Sequence, residues 1–495
     1  MKKVHLNQLS ELKTLIIFGF LSFVSYWYMI SSGTFSFFEG RTSPESLIGR
    51  ASYFSAEAIS IIHGKWSIDP AIFNGSPGDC FQYRTRCEGY FGLFPSLIRI
   101  PQELILNSHN PSYSIAYQLS AIFLFIIASI FLFHKLTLIT KFAPSQFQFG
   151  FVLLASPIIY LGSRGYVYEE AILWGITWFL VTIVISLYYL QNRREGIWWI
   201  SLLTANLALQ SRIVEGLSSL LLCTLTWLFI HQENFRIKNS VSTWLKTNKS
   251  QICGVIYKFV ALAMSGAFYL FLNFWKFGVV LPSILHSYGV STQPKLKALV
   301  LACRPESLAF IPENLIRYVI PNFRNWPFGF SYTTKQFGFF GHGVSASYEY
   351  LSCASYVEAY SPISVTYLFS SVAALIGLVF LYKHRRDEWS LGIWIIIAAA
   401  LSEVVLLSSF MGSTERYIAE FIPILLIFTF FGIYRLQKIN NFIYSSLIYS
   451  LIPVQIITCY LSSLSFYYFW NDRPLGFDNL FLYHYFSKFF IHVII

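Results

Sequence analysis

The sequence is poor in charged residues: Asp, Glu, Lys and Arg make up 12% of its 495 positions, about half of the share found in soluble globular proteins. Hydrophobic residues make up 55%, and mean hydropathy is +0.55. A chain with so few charges cannot cover a globular surface, which excludes a soluble globular protein. We therefore expect a polytopic, all-α membrane protein.

Several familiar signatures are missing as well. The sequence has no glycine-rich nucleotide-binding motif, no internal repeat and no low-complexity tract. No C-x-x-C spacing or histidine pair accompanies the cysteines, which argues against a metal site built from them. No small-residue cleavage site follows the first apolar run, so we expect that run to remain as a membrane anchor.

The formal net charge is +11 at pH 7, yet the basic residues do not form one patch. They lie mostly in short connections between apolar runs, which argues against nucleic acid as a partner. Cytoplasmic loops of membrane proteins carry an excess of Lys and Arg. The charge therefore fits a membrane topology with the basic connections inside.

A helix needs about 20 apolar residues to cross a bilayer, and eleven apolar runs predict spans. They lie at about 14–31, 116–134, 147–162, 169–190, 197–213, 215–230, 252–275, 362–382, 390–410, 417–434 and 441–463. Because each short connection predicted to face inward is basic, the N-terminus is predicted to be cytoplasmic.

This topology divides the chain into seven parts. They are a cytoplasmic N-terminus (1–13), a first transmembrane helix (14–31), a first outward loop (32–115), transmembrane helices two to seven (116–275), a second outward loop (276–361), transmembrane helices eight to eleven (362–463) and an outward tail (464–495). Long loops usually carry function, so we expect the chemistry on the outward face.

The first outward loop contains a helix signal. Ser43 can cap a helix that has Pro44 at its first position, and His63 and Gly64 end the pattern. Between them apolar residues recur at helical spacing, namely Leu47, Ile48, Ala51, Phe54, Ala58, Ile59 and Ile62. The pattern predicts an amphipathic helix on the outer membrane surface.

Four of the seven cysteines fall in the two outward loops. In an oxidising compartment Cys80 could close a short disulfide loop with Cys87, and Cys303 a long one with Cys353.

Charges at the outward ends of the spans form three clusters. They are Arg164 with Tyr166, Tyr168, Glu169 and Glu170; Arg212 with Glu215; and Glu415 and Arg416 with Glu420. Acids at a helix start and pairs at i,i+3 or i,i+4 have a local structural explanation. Alternatively, charges at membrane depth mark function, and converging arginines suit a phosphate, which a guanidinium binds bidentately.

A resemblance adds to this picture. A first span, a long outward loop with a surface helix, and many further spans resemble the GT-C class of polyprenyl-phosphate-sugar-dependent membrane glycosyltransferases. The string Tyr53-Phe-Ser-Ala-Glu-Ala-Ile-Ser-Ile-Ile-His-Gly-Lys-Trp66 is similar to the surface-helix segment of protein O-mannosyltransferases and aminoarabinose transferases. Further strings are similar to those of uncharacterised bacterial multi-spanning proteins; they lie at 63–70, 89–101, 168–175 and 415–423.

The resemblance implies a transferase that moves a sugar from a polyprenyl phosphate to an envelope glycan, lipid or protein, in the bacterial inner membrane. It places the donor phosphate near Arg164, Arg212 or Arg416, and substrate contacts at Tyr90, Arg99, Tyr168 and Glu170. A divalent cation is compatible with this chemistry, although no cofactor is required by the sequence.

The transfer needs a carboxylate to take the acceptor proton. The acidic pair that related transferases carry before the surface helix is replaced here by Leu47-Ile-Gly-Arg-Ala-Ser52. The candidate bases are then Glu57, Glu88, Glu39 and Glu169. Two other functions stay open: a transporter or flippase of envelope precursors, and a degenerate GT-C protein that binds lipid without catalysis.

Overall fold

A computed structural model describes most of the helical part of the chain. The described residues are 2–31, 33–37, 52–65, 67–68, 81–83, 86–88, 91–106, 114–162, 167–231, 249–278, 280, 311–312, 315, 356–357, 366–409, 412–413, 415–439 and 442–471. In some of these, including Cys87, Glu88 and Arg416, the backbone alone is described.

The first half of the described chain contains eleven helices. They are α1 (Lys2–Ile30), α2 (Ser52–Ile62), α3 (Phe94–Leu97), α4 (Ile100–Leu106), α5 (Ser114–Thr140), α6 (Gln146–Leu154), α7 (Ile158–Gly162), α8 (Val167–Asn192), α9 (Glu195–Leu209), α10 (Ile213–Ile230) and α11 (Lys249–Phe277). The second half contributes α12 (Leu368–Lys383), α13 (Glu388–Ser408), α14 (Glu415–Glu420), α15 (Ile422–Gln437), α16 (Phe442–Tyr449) and α17 (Leu451–Asn471).

The prediction of a polytopic helical membrane protein is confirmed. Each of the eleven apolar runs contains helix, and seven of the described helices are long and apolar enough to cross a membrane. The number of spans, their sidedness and the sevenfold division of the chain stay predictions.

Three of the runs are broken where the sequence carries proline. Pro157 lies between α6 and α7, and Pro423 lies in the first turn of α15, directly after the break at Phe421. Pro453 lies in the first turn of α17, where its ring would clash with the carbonyl of Tyr449 in a continuous helix. The first two breaks leave apolar helices of at most 17 residues, whereas the third run still contains the candidate span Ser446–Ser463.

Helix α8 is at the centre of the bundle. It packs against α5, α9 and α10, and it is the most deeply buried of the seven candidate spans. Its neighbours are joined to it by hydroxyl contacts as well as apolar ones, such as Thr182 to Thr204 at 2.9 Å and Ser186 to Ser201 at 2.9 Å. Small polar residues of this kind let helix backbones approach within a membrane.

Helices α12 and α15 approach each other closely at two glycines. A Cβ added to Gly377 would lie 1.9 Å from the carbonyl oxygen of Phe428, and one added to Gly432 would lie 1.8 Å from that of Ala373. No other residue type has room at either position, because an added methyl group would meet the facing backbone. Two facing glycines thus set the separation of these helices.

Helix α11 lies at the edge of the bundle, with much of its apolar side chain surface exposed. Near its start the Lys258 ammonium pairs with Glu195 and lies 5.4 Å and 5.7 Å from the ring centres of Trp198 and Trp227. Near its end Lys276 pairs with Glu57 at 2.7 Å. Buried lysines therefore attach the helix to its neighbours near both ends.

The predicted surface helix is present as α2, but its environment differs from the expectation. Tyr53, Phe54 and Glu57 are each 1% exposed, and the helix packs against α3 and α4. Phe91 and Tyr168 cover its aromatic side, so most of α2 faces protein rather than a membrane surface. The predicted start of this helix at Ser43 lies outside the described residues.

Two short strand pairs add to the all-α architecture that the composition predicts. β1 (Phe81–Tyr83) pairs antiparallel with β2 (Arg86–Glu88), and Gln82 faces Cys87. β3 (Tyr356–Val357) pairs in parallel with β4 (Gly412–Ser413). Both pairs lie outside the apolar runs, where backbone groups that are not helical find partners in a neighbouring strand.

Candidate functional site

The segment that carries α3 and α4 docks onto the ends of the membrane helices. The Phe94 amide donates to the carbonyl oxygen of Gln210 at 2.7 Å, at the C-terminal end of α9. A Cβ added to Gly92 would lie 2.1 Å from the same oxygen, so this approach requires glycine. Residues 91–106 are thereby placed beside the turn that leads from α9 into α10.

Glu57 on α2 is the centre of a buried polar contact. One carboxylate oxygen accepts from the Lys276 ammonium at 2.7 Å and from the Tyr53 hydroxyl at 3.4 Å. The other accepts from the Ser96 hydroxyl at 2.5 Å. Since Glu57 and Lys276 are 1% and 5% exposed, this ion pair ties the first loop to the end of α11.

Arg99 and Glu170 form a second buried pair. The two terminal nitrogens of the guanidinium donate to the two carboxylate oxygens at 2.8 Å and 2.9 Å, and the Ser114 hydroxyl donates to one of those oxygens at 2.9 Å. The guanidinium also lies 4.4 Å from the ring centre of Tyr117. Both charges are thus satisfied by each other, and the pair joins the loop to the starts of α5 and α8.

Tyr168 and Glu169 lie beside this pair at the start of α8. The Tyr168 ring packs edge-on against Phe91 at 5.1 Å between centres. Glu169 is fully buried, whereas Tyr168 is partly buried and faces the docked loop. A candidate base and a candidate substrate contact are therefore adjacent in the first turn of α8, but only Tyr168 is shown in contact with the docked segment.

Arg212 belongs to a third group, which joins three helices. Its guanidinium lies 2.6 Å from Glu420 at the end of α14 and 3.6 Å from Glu215 in the first turn of α10. Glu403 of α13 completes the group, and carboxylate oxygens of the three glutamates lie within 4.8 Å of one another. The predicted Arg212–Glu215 contact is present, but the shorter contact is to Glu420.

Several predicted site residues cannot be placed. Glu39, Tyr90, Arg164, Tyr166, Cys80, Cys303 and Cys353 lie outside the described residues, and the side chains of Glu88, Cys87, Glu415 and Arg416 are not described. Both disulfides and the arginine triad stay predictions. Catalysis by Glu57 or Glu169 and substrate binding by Arg99 or Glu170 also stay predictions, although Arg99 and Glu170 bind each other here.

Sequence reasoning did not assign a site role to Lys276, Ser96, Ser114 or Glu403. Lys276 ends an apolar run and Glu403 interrupts one, and a charge in either place is a signal of a buried partner. The two serines carry no such signal, because isolated serines are common in any loop or helix end. Their roles depend on contacts between segments that are distant in the sequence.

Comparisons with known proteins give a distant structural likeness. No protein-family model matches the chain, and no curated protein matches it. Among solved structures, the chain is similar to the archaeal oligosaccharyltransferase AglB from Archaeoglobus fulgidus in complex with an inhibitory peptide and a dolichol-phosphate, with 12% identity and a TM-score of 0.49. The apo form of the A. fulgidus oligosaccharyltransferase gives 12% identity and a TM-score of 0.48. Each match covers 92% of this chain and 56% of the other, so the chain spans little more than half of the archaeal protein's length.

Proposed function

We propose that this chain is a membrane glycosyltransferase that moves a sugar from a polyprenyl phosphate to an envelope acceptor on the outward face of the membrane. The observation that carries the proposal is the meeting of four segments, of which the first is similar to GT-C transferases and the other three to uncharacterised bacterial multi-spanning proteins. Segments 53–66, 89–101, 168–175 and 415–423 are scattered along the chain, yet contacts bring described parts of all four to one end of the bundle.

Individual contacts link these segments. Glu57 of the first accepts from Ser96 of the second at 2.5 Å, and Arg99 of the second pairs with Glu170 of the third at 2.8 Å. Arg212 connects the fourth, since it pairs with Glu420 at 2.6 Å and follows Gln210, which holds the second segment. Segments with separate functions would not need to contact one another. The contacts therefore favour one common site for the four segments.

Sugar transfer from a lipid phosphate requires little covalent chemistry from the protein. A lipid phosphate is a good leaving group, so the site must mainly orient the sugar, neutralise developing charge and remove one acceptor proton. Glu57, Glu88, Glu39 and Glu169 are the candidate bases. In the described structure Glu57 accepts three hydrogen bonds, from Lys276, Tyr53 and Ser96, which leaves acceptor capacity on the oxygen that Ser96 contacts.

The test is transfer from undecaprenyl-phosphate sugars by purified protein in lipid vesicles. Replacing the true base by glutamine retains the size of the side chain and donor binding, yet slows transfer by roughly 100- to 10,000-fold. The four variants Glu57→Gln, Glu88→Gln, Glu39→Gln and Glu169→Gln are compared with a control outside the site. Normal turnover by all four, from an active wild type, would exclude these bases.

The donor phosphate is tested separately. Loss of one charge-assisted hydrogen bond costs about 1.5 to 3 kcal/mol, or roughly 10- to 150-fold in affinity. Arg164→Gln, Arg212→Gln and Arg416→Gln are therefore expected to weaken donor binding selectively. Variants that fold normally and bind the donor as wild type does would show that the arginines serve other purposes.

A transporter or flippase is the second candidate, because buried acids at membrane depth also occur in ion-coupled transporters and Glu215, Glu403 and Glu420 are such acids. Vesicles that move a labelled lipid-linked sugar between leaflets, and form no transfer product with any acceptor offered, would favour this function. Binding of the lipid with neither movement nor transfer would instead favour a degenerate GT-C protein.

A further inference from the structure

Helix α5 connects the candidate site to the opposite end of the bundle. It begins at Ser114, whose hydroxyl donates to Glu170 at 2.9 Å, and it ends at Thr140. Its 27 residues correspond to about 40 Å at about 1.5 Å per residue. Lys141 and Phe142, which follow directly, therefore lie far from the residues assigned to sugar transfer.

Phe142 packs against the ends of three other helices. Its ring stacks on that of Tyr434 of α15, with 4.3 Å between the ring centres. The centre of the Phe142 ring also lies 5.2 Å from that of Trp389 at the start of α13 and 5.6 Å from that of Phe380 near the end of α12. We refer to these four rings as the aromatic cluster. Phe142, Trp389 and Tyr434 are partly buried, so the cluster reaches the surface of the bundle.

The aromatic cluster lies at the boundary of two candidate membrane spans. The span Ser114–Thr140 ends two residues before Phe142, and the span Trp389–Ser408 begins at Trp389. Trp and Tyr are enriched where membrane helices meet the lipid headgroups, because their rings are apolar with a polar group at one edge. We therefore expect the cluster at headgroup depth, and the predicted topology places it at the cytoplasmic leaflet.

Exposed cations flank the aromatic cluster. The Lys438 ammonium lies 5.7 Å from the ring centre of Tyr434, and Arg435 directly follows that tyrosine. Lys141 directly precedes Phe142. The turn that leads from α12 into α13 adds three more exposed cations, namely Lys383, Arg385 and Arg386.

The charge of these six cations is not balanced by nearby acids. Among the described side chains none of the six is in an ion pair, in contrast to the buried Arg99, Lys258 and Lys276. The same connections contain two acids, Asp387 and Glu388, which leaves an excess of four positive charges. Anionic phospholipids are the complementary charges at this depth of a membrane.

We propose that this surface binds the headgroup of an anionic phospholipid. Lys141, Arg435 and Lys438 bind the phosphodiester, since ammonium and guanidinium groups form charge-assisted hydrogen bonds with phosphate oxygens. The aromatic cluster packs against the glycerol and the first carbons of the acyl chains. A headgroup of net negative charge is preferred to a zwitterionic one, whose own cation would meet the excess of positive charge. This lipid is distinct from the sugar donor of the proposed transfer.

The experiment compares two lipids that differ in headgroup charge and share their acyl chains. The full chain is purified and delipidated in a neutral detergent, and binding of dioleoyl phosphatidylglycerol and of dioleoyl phosphatidylcholine is measured by native mass spectrometry. We expect tighter binding of phosphatidylglycerol. The preference should weaken as the concentration of ammonium acetate is raised, because salt screens exposed charges.

The double variant Lys141→Gln with Lys438→Gln tests the cations themselves. Each lysine removed should weaken phosphatidylglycerol binding by about fivefold, the factor that corresponds to about 1 kcal/mol for a cation near an anionic membrane surface. The two together should weaken it by roughly 30-fold. Binding of phosphatidylcholine should change little.

The matched control is Arg193→Gln with Arg194→Gln. These two exposed arginines follow α8, whose Gln191 accepts from Lys135 near the end of α5 at 3.0 Å. They therefore lie at the same end of the bundle, but no described contact joins them to the aromatic cluster. The control should retain the affinity of wild type for phosphatidylglycerol.

Three results would overturn the proposal. Equal affinity of wild type for the two lipids is the first, and it requires no variant. A loss in the arginine control as large as that in the lysine pair would show attraction to the net charge of the whole end. Displacement of phosphatidylglycerol by an equal concentration of inorganic phosphate would show that the surface recognises phosphate without a lipid. Because no sugar donor is present, the outcome is separate from that of the transfer assay.

Discussion

Replacing Arg99 by methionine should destabilise the fold strongly, because the change leaves Glu170 buried without its cation. Arg99 and Glu170 are 0% and 1% exposed, and two parallel hydrogen bonds of 2.8 Å and 2.9 Å join them. After the change Ser114 is the remaining described donor to this carboxylate. A single hydroxyl cannot replace a guanidinium in compensating a buried charge.

The expected magnitude follows from the burial of the pair. Removing one partner of a buried ion pair costs about 3 to 5 kcal/mol, whereas replacing both by apolar side chains of similar volume is often neutral or stabilising by about 1 to 4 kcal/mol. Arg99→Met should therefore lose about 3 to 5 kcal/mol. The double variant Arg99→Met with Glu170→Leu should recover most of that loss.

The assay is unfolding of the purified protein by increasing SDS in mixed micelles, followed by circular dichroism. The four members of the double-mutant cycle are compared under one condition, which isolates the coupling between the two residues. Arg385→Met serves as the control, since that arginine is exposed and its replacement should change stability by at most about 0.5 kcal/mol.

Two results would refute the reasoning. Arg99→Met could unfold within about 1 kcal/mol of wild type, which would mean that Glu170 is neutral or solvated in the native state. The double variant could be no more stable than the single one, which would mean that the cost came from lost packing against Tyr117 rather than from the unpaired carboxylate.

Other changes test further parts of the structure. Lys276→Met should cost about 3 to 5 kcal/mol for the same reason, with partial recovery when Glu57→Gln is added; an unchanged SDS midpoint would contradict the ion pair. Gly432→Ala should destabilise by at least about 1 to 3 kcal/mol by forcing two helices apart, whereas Gly266→Ala, with no atom within 4 Å of its added Cβ, should be neutral or gain up to about 1 kcal/mol. A cysteine at Ser347, in a background cleared of reactive cysteines, should react with an impermeant reagent from the outer side; reaction only after permeabilisation would reverse the topology.

The helical architecture could be predicted because it depends on local properties of the sequence. Runs of about 20 apolar residues must form helix in lipid to satisfy their own backbone, and this requirement identifies all eleven runs. Proline positions then account for the breaks, although the sequence prediction treated the broken runs as continuous spans. The burial of α2 could not be predicted. Helical periodicity shows that one face of a helix is apolar, but it does not show whether lipid or protein covers that face.

In the candidate site, contacts between residues close in sequence could be predicted, whereas contacts between distant residues could not. The contact of Arg212 with Glu215 was one of two explanations that the i,i+3 spacing allowed. The stronger contact of Arg212 with Glu420, 208 positions away, depends on which helices are neighbours. Glu57 and Lys276 are separated by 219 positions, and a single sequence contains no signal that pairs them.

The two buried lysines of α11 define a distance along the helix axis. Lys258 and Lys276 are 18 positions apart in one helix, which corresponds to about 27 Å, close to the roughly 30 Å of a bilayer's hydrocarbon core. Each ammonium is held by a carboxylate of another segment, so the helix cannot slide or tilt far without breaking an ion pair. If α11 spans the bilayer, a change in bilayer thickness would therefore act against these two ion pairs before the helix could change its tilt.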